Sequence, residues 1–182
     1  MQTKQNISYR VALGGIVSAF CLFSMFLTGI FPLLYLVLPM ISGILLLIIM
    51  IEIGIQWAWV TYFAVSLLSL FITYDKEATM IFILFFGCYP ILKNYIQKIK
   101  LKLLLVIIKL FYFNFIMLVY FYINTYLFGL TDLLEEFQNY GKYAGIIMLI
   151  ILNPFFLIYD SSLDGLQKIY QHILKPRITG KK

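Results

Sequence analysis

Long apolar runs, separated by only a few charged residues, make up most of this chain of 182 residues. Hydrophobic residues account for 63% of it and charged residues for 12%, which is more apolar surface than a soluble domain of this size needs. A bilayer core about 30 Å thick takes about 20 apolar residues per helix. The chain is therefore predicted to be an all-α membrane protein with no room for a separate soluble domain.

A lysine-rich segment, residues 93–109, sets the orientation of the predicted spans. Its lysines are Lys93, Lys98, Lys100, Lys102 and Lys109. Because Lys and Arg collect in short cytoplasmic loops of multispan proteins, this segment is predicted to be a cytoplasmic loop. Apolar residues recur within it at helical spacing, which is compatible with an amphipathic helix along the inner membrane surface. Lys109, at its end, is expected to snorkel to that surface.

Counting outward from this loop predicts a bundle of six transmembrane helices with the N and C termini in the cytoplasm. The spans are 11–31, 33–51, 58–74, 79–92, 110–128 and 143–159, followed by a cytoplasmic tail, 160–182. Outer loops then hold only two basic residues, Lys76 and Lys142, and an odd number of spans would break this asymmetry. The whole chain, 1–182, is predicted to form a single transmembrane domain.

Residues that commonly carry catalysis are sparse. The single histidine, His172, falls in the predicted tail, and Cys21 and Cys88 lie in apolar runs without metal or redox spacing. The sequence shows no phosphate-binding or metalloprotease motif, and no acidic residue falls in the middle of a predicted span. We therefore expect neither an enzyme, a metal site or a cofactor, nor an ion-coupled transporter. The basic residues flank apolar spans, which favours contact with membrane lipid over nucleic acid.

The fifth span is aromatic and offers a candidate ligand-binding face. Tyr120 and Asn124 are four residues apart and share one helix face with Met117. Tyrosine rings with an amide among them suit a small, flat or apolar molecule that forms a few hydrogen bonds. The alternative is an aromatic belt at the membrane interface, which is the better interpretation for Tyr122 and Tyr126.

Two further amides, Asn114 and Asn153, lie in the fifth and sixth spans. An unpaired amide in hydrocarbon is costly, so these side chains are expected to meet each other, a neighbouring hydroxyl or water. Contact with the ligand is the other interpretation.

Small residues mark one face of the first span. Ala12, Gly15 and Ala19 recur at helical spacing, so another helix could approach closely there. The approaching helix could belong to the same bundle or to a separate membrane partner.

The layout and several fragments resemble the substrate-binding S component of energy-coupling factor (ECF) transporters. The fragments are RVALGGIVSA, LPMISGILL and DKEATMIFILFFGCYPILK. The resemblance implies a vitamin or micronutrient uptake subunit in a bacterial plasma membrane, with a small-molecule ligand bound from the outer face. It also implies docking on a transmembrane coupling protein that is driven by two cytoplasmic ATPases. The family docks through two alanines four apart, and the matching positions here are Gly15 and Ala19.

The alternative function is a small polytopic membrane scaffold or assembly factor without a ligand. Ligand capture predicts a small molecule that co-purifies with the protein. A scaffold predicts that the side chains of Tyr120 and Asn124 pack on their neighbours and leave no room for a ligand.

Overall fold

A computed structural model describes residues 7–126 and 144–175, and every regular element in these two ranges is helical. The main helices are α1 (Ile7–Leu27), α2 (Val37–Glu52), α3 (Ile55–Ile72), α4 (Lys76–Ile81), α5 (Tyr89–Ile96), α6 (Lys102–Tyr126) and α7 (Ala144–Ile169). A 3-10 turn, Pro32–Leu34, precedes α2, and π-helical turns follow α4 (Phe82–Phe86) and α7 (Tyr170–Leu174). The prediction of an all-α protein is confirmed for the described residues.

Five helical segments in this part of the chain are long and apolar enough to cross a membrane. They are Ile7–Leu27, Ile55–Ile72, Lys76–Ile96, Lys102–Tyr126 and Ile147–His172. Helix α2 is also apolar, and its 16 residues make it about 24 Å long. The chain is thus a multi-pass helical membrane protein. Each of the six predicted spans falls on a helical segment, with residues 127–128 and 143 outside the described ranges.

The chain divides into two compact units, Met1–Tyr95 with Gly165–Lys182, and Ile96–Asp164. In the first unit, α1, α2 and α3 pack against one another. Cys21 and Ser42 join α1 to α2, because the hydroxyl of Ser42 donates to the carbonyl of Cys21 (3.3 Å) and the thiol of Cys21 to that of Ser42 (3.5 Å). Gly43 lets α2 approach the π-helical turn Phe82–Phe86 closely, since a β-carbon added to Gly43 would clash with the carbonyl oxygen of Phe86.

The fourth predicted span consists of α4, a π-helical turn and α5. Asp75 caps α4 by accepting a hydrogen bond from the backbone N–H of Ala78 (3.0 Å), and Lys76 donates to two carbonyls at the end of α3. The π-helical turn disturbs the regular backbone pairing, and the hydroxyl of Tyr62 donates to the carbonyl of Ile83 there (2.7 Å). This hydrogen bond stabilises the irregular backbone inside an apolar unit.

A short turn, Ile53 and Gly54, joins α2 to α3. Gly54 has φ 108°, a backbone conformation that favours glycine. Glu52, at the end of α2, pairs with Lys175, whose ammonium lies 3.2 Å from its carboxylate. The ion pair keeps Lys175, the last described residue, beside this turn. Both residues belong to the first unit.

The lysine-rich segment and the tail differ from the sequence-based expectation. Only residues 97–101 connect helices, because α5 continues to Ile96 and α6 already begins at Lys102. No separate amphipathic helix forms there, since the apolar residues after Lys102 continue into one long helix. Likewise, α7 continues past residue 160 instead of ending at 159. The ammonium of Lys109 does not snorkel, because its side chain is buried against an acidic partner.

A candidate ligand-binding face on helix α6

Helix α6 buries one continuous face, which contains the predicted ligand-binding residues. The buried residues are Lys109, Phe113, Met117, Tyr120 and Asn124. They recur three or four positions apart, so they form a stripe along one side of the helix. The first residue of the stripe, Lys109, is charged. The residues after it carry aromatic, thioether and amide side chains.

The beginning of this stripe is joined to α7 by an ion pair. The ammonium of Lys109 lies 2.6 Å from the carboxylate of Asp160, and only 6% and 11% of the two side chains are exposed. The sequence pattern did not indicate this contact, since it placed Asp160 in the tail. Extending the register of α7 from Asn153 by two helical turns would have placed Asp160 on the same face.

Two further contacts continue the α6–α7 interface. The rings of Phe113 and Phe156 stack with centroids 4.6 Å apart and planes 8° apart. The amides of Asn114 and Asn153 exchange two hydrogen bonds of 2.9 and 3.2 Å. Residue numbers rise along α6 as they fall along α7, so the two helices are antiparallel.

Of the three partners expected for Asn114 and Asn153, which were each other, a hydroxyl or water, the structure shows each other. This pairing limits what the two amides can offer a ligand. The nitrogen of Asn114 also donates to the carbonyl of Leu110 (2.8 Å), and that of Asn153 to the carbonyl of Leu149 (2.7 Å). Each amide nitrogen has two N–H donors, and both are thereby used. The paired amides hold α6 to α7. Each amide oxygen already accepts one hydrogen bond and has one further lone pair that could accept another.

Asn124 is arranged differently from the other two amides. Its side chain is fully buried, and its nitrogen donates to the carbonyl of Tyr120 at 2.9 Å. Its side-chain oxygen has no hydrogen-bond partner among the described residues. A buried acceptor without a partner costs about 1–3 kcal/mol, so this oxygen is available to a donor that the described residues do not supply.

Tyr120 and Met117 complete the face next to Asn124. Tyr120 is 7% exposed and Met117 5% exposed. No residue of α6 beyond Lys109 is charged. The face can therefore offer aromatic and thioether surface together with one amide oxygen, which suits a neutral molecule with an N–H or O–H donor.

Two other tyrosines of α6 lie on the opposite side from Tyr120. Tyr122 and Tyr126 are 64% and 75% exposed, and their rings lie 4.8 Å apart at a tilt of 36°. Exposed tyrosines near the end of an apolar helix are typical of an aromatic belt. The structure thus separates them from the buried face that carries Tyr120.

The three predicted docking residues of α1 lie on the helix surface. Ala12, Gly15 and Ala19 are all exposed, and a β-carbon added to Gly15 would meet no atom within 4 Å. Gly14, by contrast, is buried against Thr61 inside the first unit. Within the described residues, the face that carries Gly15 is therefore not used for packing between helices of this chain.

Neither cysteine nor histidine forms a reactive cluster in the ranges 7–126 and 144–175. Neither Cys21 nor Cys88 is in a disulfide, and His172 is exposed near the end of the last helical segment. No group of three or more His, Cys, Asp or Glu side chains in those ranges could hold a metal ion. Comparisons with protein-family models, with curated proteins and with solved structures give no match for this chain.

Proposed function

We propose that this chain is a substrate-capturing membrane subunit of the ECF type, which binds a small molecule and hands it to a membrane coupling protein. In this proposal the bundle crosses the membrane six times, α2 included, with both termini in the cytoplasm. The ligand enters from the outer face and is a vitamin or micronutrient. Two cytoplasmic ATPases drive the coupling protein.

The observation that carries the proposal is the buried side-chain oxygen of Asn124, which lacks a partner among the described residues. It lies on the same helix face as Tyr120 and Met117, and its own nitrogen is already bonded to the carbonyl of Tyr120. A face used only for packing gains nothing from a buried acceptor without a donor. A bound molecule that donates a hydrogen bond would remove that cost.

The exposed small-residue face of α1 supports the docking part of the proposal. Ala12, Gly15 and Ala19 leave a shallow surface on which a helix of another protein could pack closely. The surface is on α1 in the first unit and the ligand-binding face on α6 in the second, so each can be altered separately.

Purification and mass spectrometry test ligand capture directly. The protein is purified in a mild detergent, denatured, and its small-molecule extract compared with that of the Asn124→Leu variant. We expect one small molecule at near-stoichiometric amount in the wild type, and its loss in the variant. Tyr122→Leu is the matched control, because Tyr122 lies on the exposed side of the same helix and its replacement should leave the molecule bound.

Two results would contradict capture. An extract without any enriched molecule would favour the alternative, a membrane scaffold or assembly factor without a ligand. A molecule retained equally by Asn124→Leu would show that it binds elsewhere. Size-exclusion chromatography of each variant shows whether it is folded, so that loss of the molecule is not confused with loss of structure.

A further inference from the structure

Three exposed lysines lie close together at the beginning of α6 in the second unit. Lys98 and Lys100 belong to the non-helical connection, and Lys102 is the first residue of the helix. Gln97 fixes the start of this connection, because its amide nitrogen donates to the carboxylate of Asp164 at 2.7 Å. The three lysines that follow it form a cationic surface.

The exposed surface changes from cationic to apolar within one residue. Leu103, directly after Lys102, is 79% exposed, and Ile107, on the next turn, is 54% exposed. Exposed leucine and isoleucine on a membrane helix face lipid chains. Leu101, 68% exposed between two of the lysines, adds apolar surface at the same level. A boundary between hydrocarbon and headgroups at the step from Lys102 to Leu103 would fit this change.

Lys109 does not belong to this surface. It lies about two helical turns further along α6, roughly 10 Å from Lys102, and its side chain is buried. The cationic surface thus consists of Lys98, Lys100 and Lys102. A partner must present negative charge next to apolar chains, which is the chemistry of an anionic phospholipid and differs from that of a nucleic acid.

We propose that Lys98, Lys100 and Lys102 bind the phosphate of an anionic phospholipid, with the acyl chains lying along Leu101 and Leu103. A lysine close to an anionic lipid surface strengthens the interaction about fivefold. Three of them hold one headgroup at the point where α6 enters the bilayer. This site is separate from the buried face of α6, so the proposal does not depend on ligand capture.

Native mass spectrometry of the whole protein in a mild detergent tests the proposal, with equal amounts of phosphatidylglycerol and phosphatidylcholine as probes. We expect the wild type to retain phosphatidylglycerol in preference to phosphatidylcholine. The triple variant with Lys98→Gln, Lys100→Gln and Lys102→Gln should bind phosphatidylglycerol at least tenfold more weakly. Replacement of the same three lysines by arginine should keep the preference.

A matched control and a competitor distinguish a headgroup site from a net-charge effect and from a site for free phosphate. Lys168→Gln removes an exposed lysine outside this unit and should leave the preference unchanged. If Lys168→Gln weakened the binding of phosphatidylglycerol as much as the triple glutamine variant does, the effect would come from net charge, and the proposal would be overturned. An unchanged preference in the triple glutamine variant would also overturn it. Displacement of the lipid by millimolar inorganic phosphate would indicate a site for free phosphate instead.

Discussion

The ammonium of Lys109 lies 2.6 Å from the carboxylate of Asp160, and both side chains are largely buried where α6 packs on α7. Taking a single charge out of water costs several kcal/mol, and only a well-placed counter-charge offsets that cost. Burial of either charged side chain is therefore tolerated only because the other is buried beside it. The pair also fixes which faces of α6 and α7 meet.

Removing one member of this pair should destabilise the protein strongly. For Asp160→Asn we expect a loss of about 3 kcal/mol in the free energy of unfolding, because the ammonium of Lys109 then stays buried without a counter-charge. Unfolding in a denaturing detergent, followed by circular dichroism, measures this change.

The double variant Lys109→Met with Asp160→Leu is the control for that loss. It leaves no buried charge at this position, so it should recover most of the stability lost in Asp160→Asn. A double variant that is no more stable than Asp160→Asn would show that the effect comes from packing and not from charge.

The neighbouring amide pair should contribute less. A double-mutant cycle with Asn114→Leu and Asn153→Leu should give a coupling energy of about 1 kcal/mol, since hydrogen bonds between membrane helices are individually modest. The same unfolding measurement applies. Additive effects of the two replacements would mean that the hydrogen bonds between these amides do not hold in the membrane.

The sequence predicted the helical segments and named pairing with each other among the possible contacts of Asn114 and Asn153, because length, apolar composition and the cost of a buried amide act locally. It did not predict the Lys109–Asp160 pair, whose partners are 51 positions apart. Hydropathy alone placed Asp160 outside the last span, because a charge usually marks the end of an apolar run. The ion pair removes that cost, so α7 continues to Ile169.

The candidate ligand-binding face also shows that the sequence predicts which residues share a helix face but not their contacts with other helices. Helical spacing was enough to place Tyr120, Asn124 and Met117 on one face, and the structure buries all three. The spacing could not show that Asn114 and Asn153 use their donors on each other, whereas the oxygen of Asn124 has no partner among the described residues. Which amide is left for a ligand depends on side-chain contacts between helices.

Close packing of α2 should make Gly43 intolerant of any side chain. In Gly43→Ala the added methyl group would overlap the carbonyl oxygen of Phe86, and we expect a loss of about 1–3 kcal/mol in unfolding free energy. Gly15→Ala is the matched control, because its methyl group meets no atom and alanine favours the helix. Equal stability of the two variants would contradict the close contact between α2 and the π-helical turn.

Cysteine labelling of intact cells should test the proposed orientation. In a background with Cys21→Ala and Cys88→Ala, we expect Tyr74→Cys to react with a membrane-impermeant maleimide, because Tyr74 is 89% exposed in the proposed outer turn. His172→Cys, exposed near the end of the last helical segment, should react only after the membrane is permeabilised. Labelling of His172→Cys in intact cells would place the C-terminal end outside and contradict the proposed topology.

Docking and ligand capture should be separable by two single replacements. Gly15→Leu adds a large side chain at an exposed position where a β-carbon meets no atom within 4 Å, so the protein should fold normally and still retain the co-purified molecule. It should nevertheless abolish cellular uptake of that molecule, because the helix of a coupling protein could no longer approach α1. Asn124→Leu should lose the molecule itself while leaving the α1 surface intact. Normal uptake by cells that carry only Gly15→Leu would show that this face of α1 is not the docking surface.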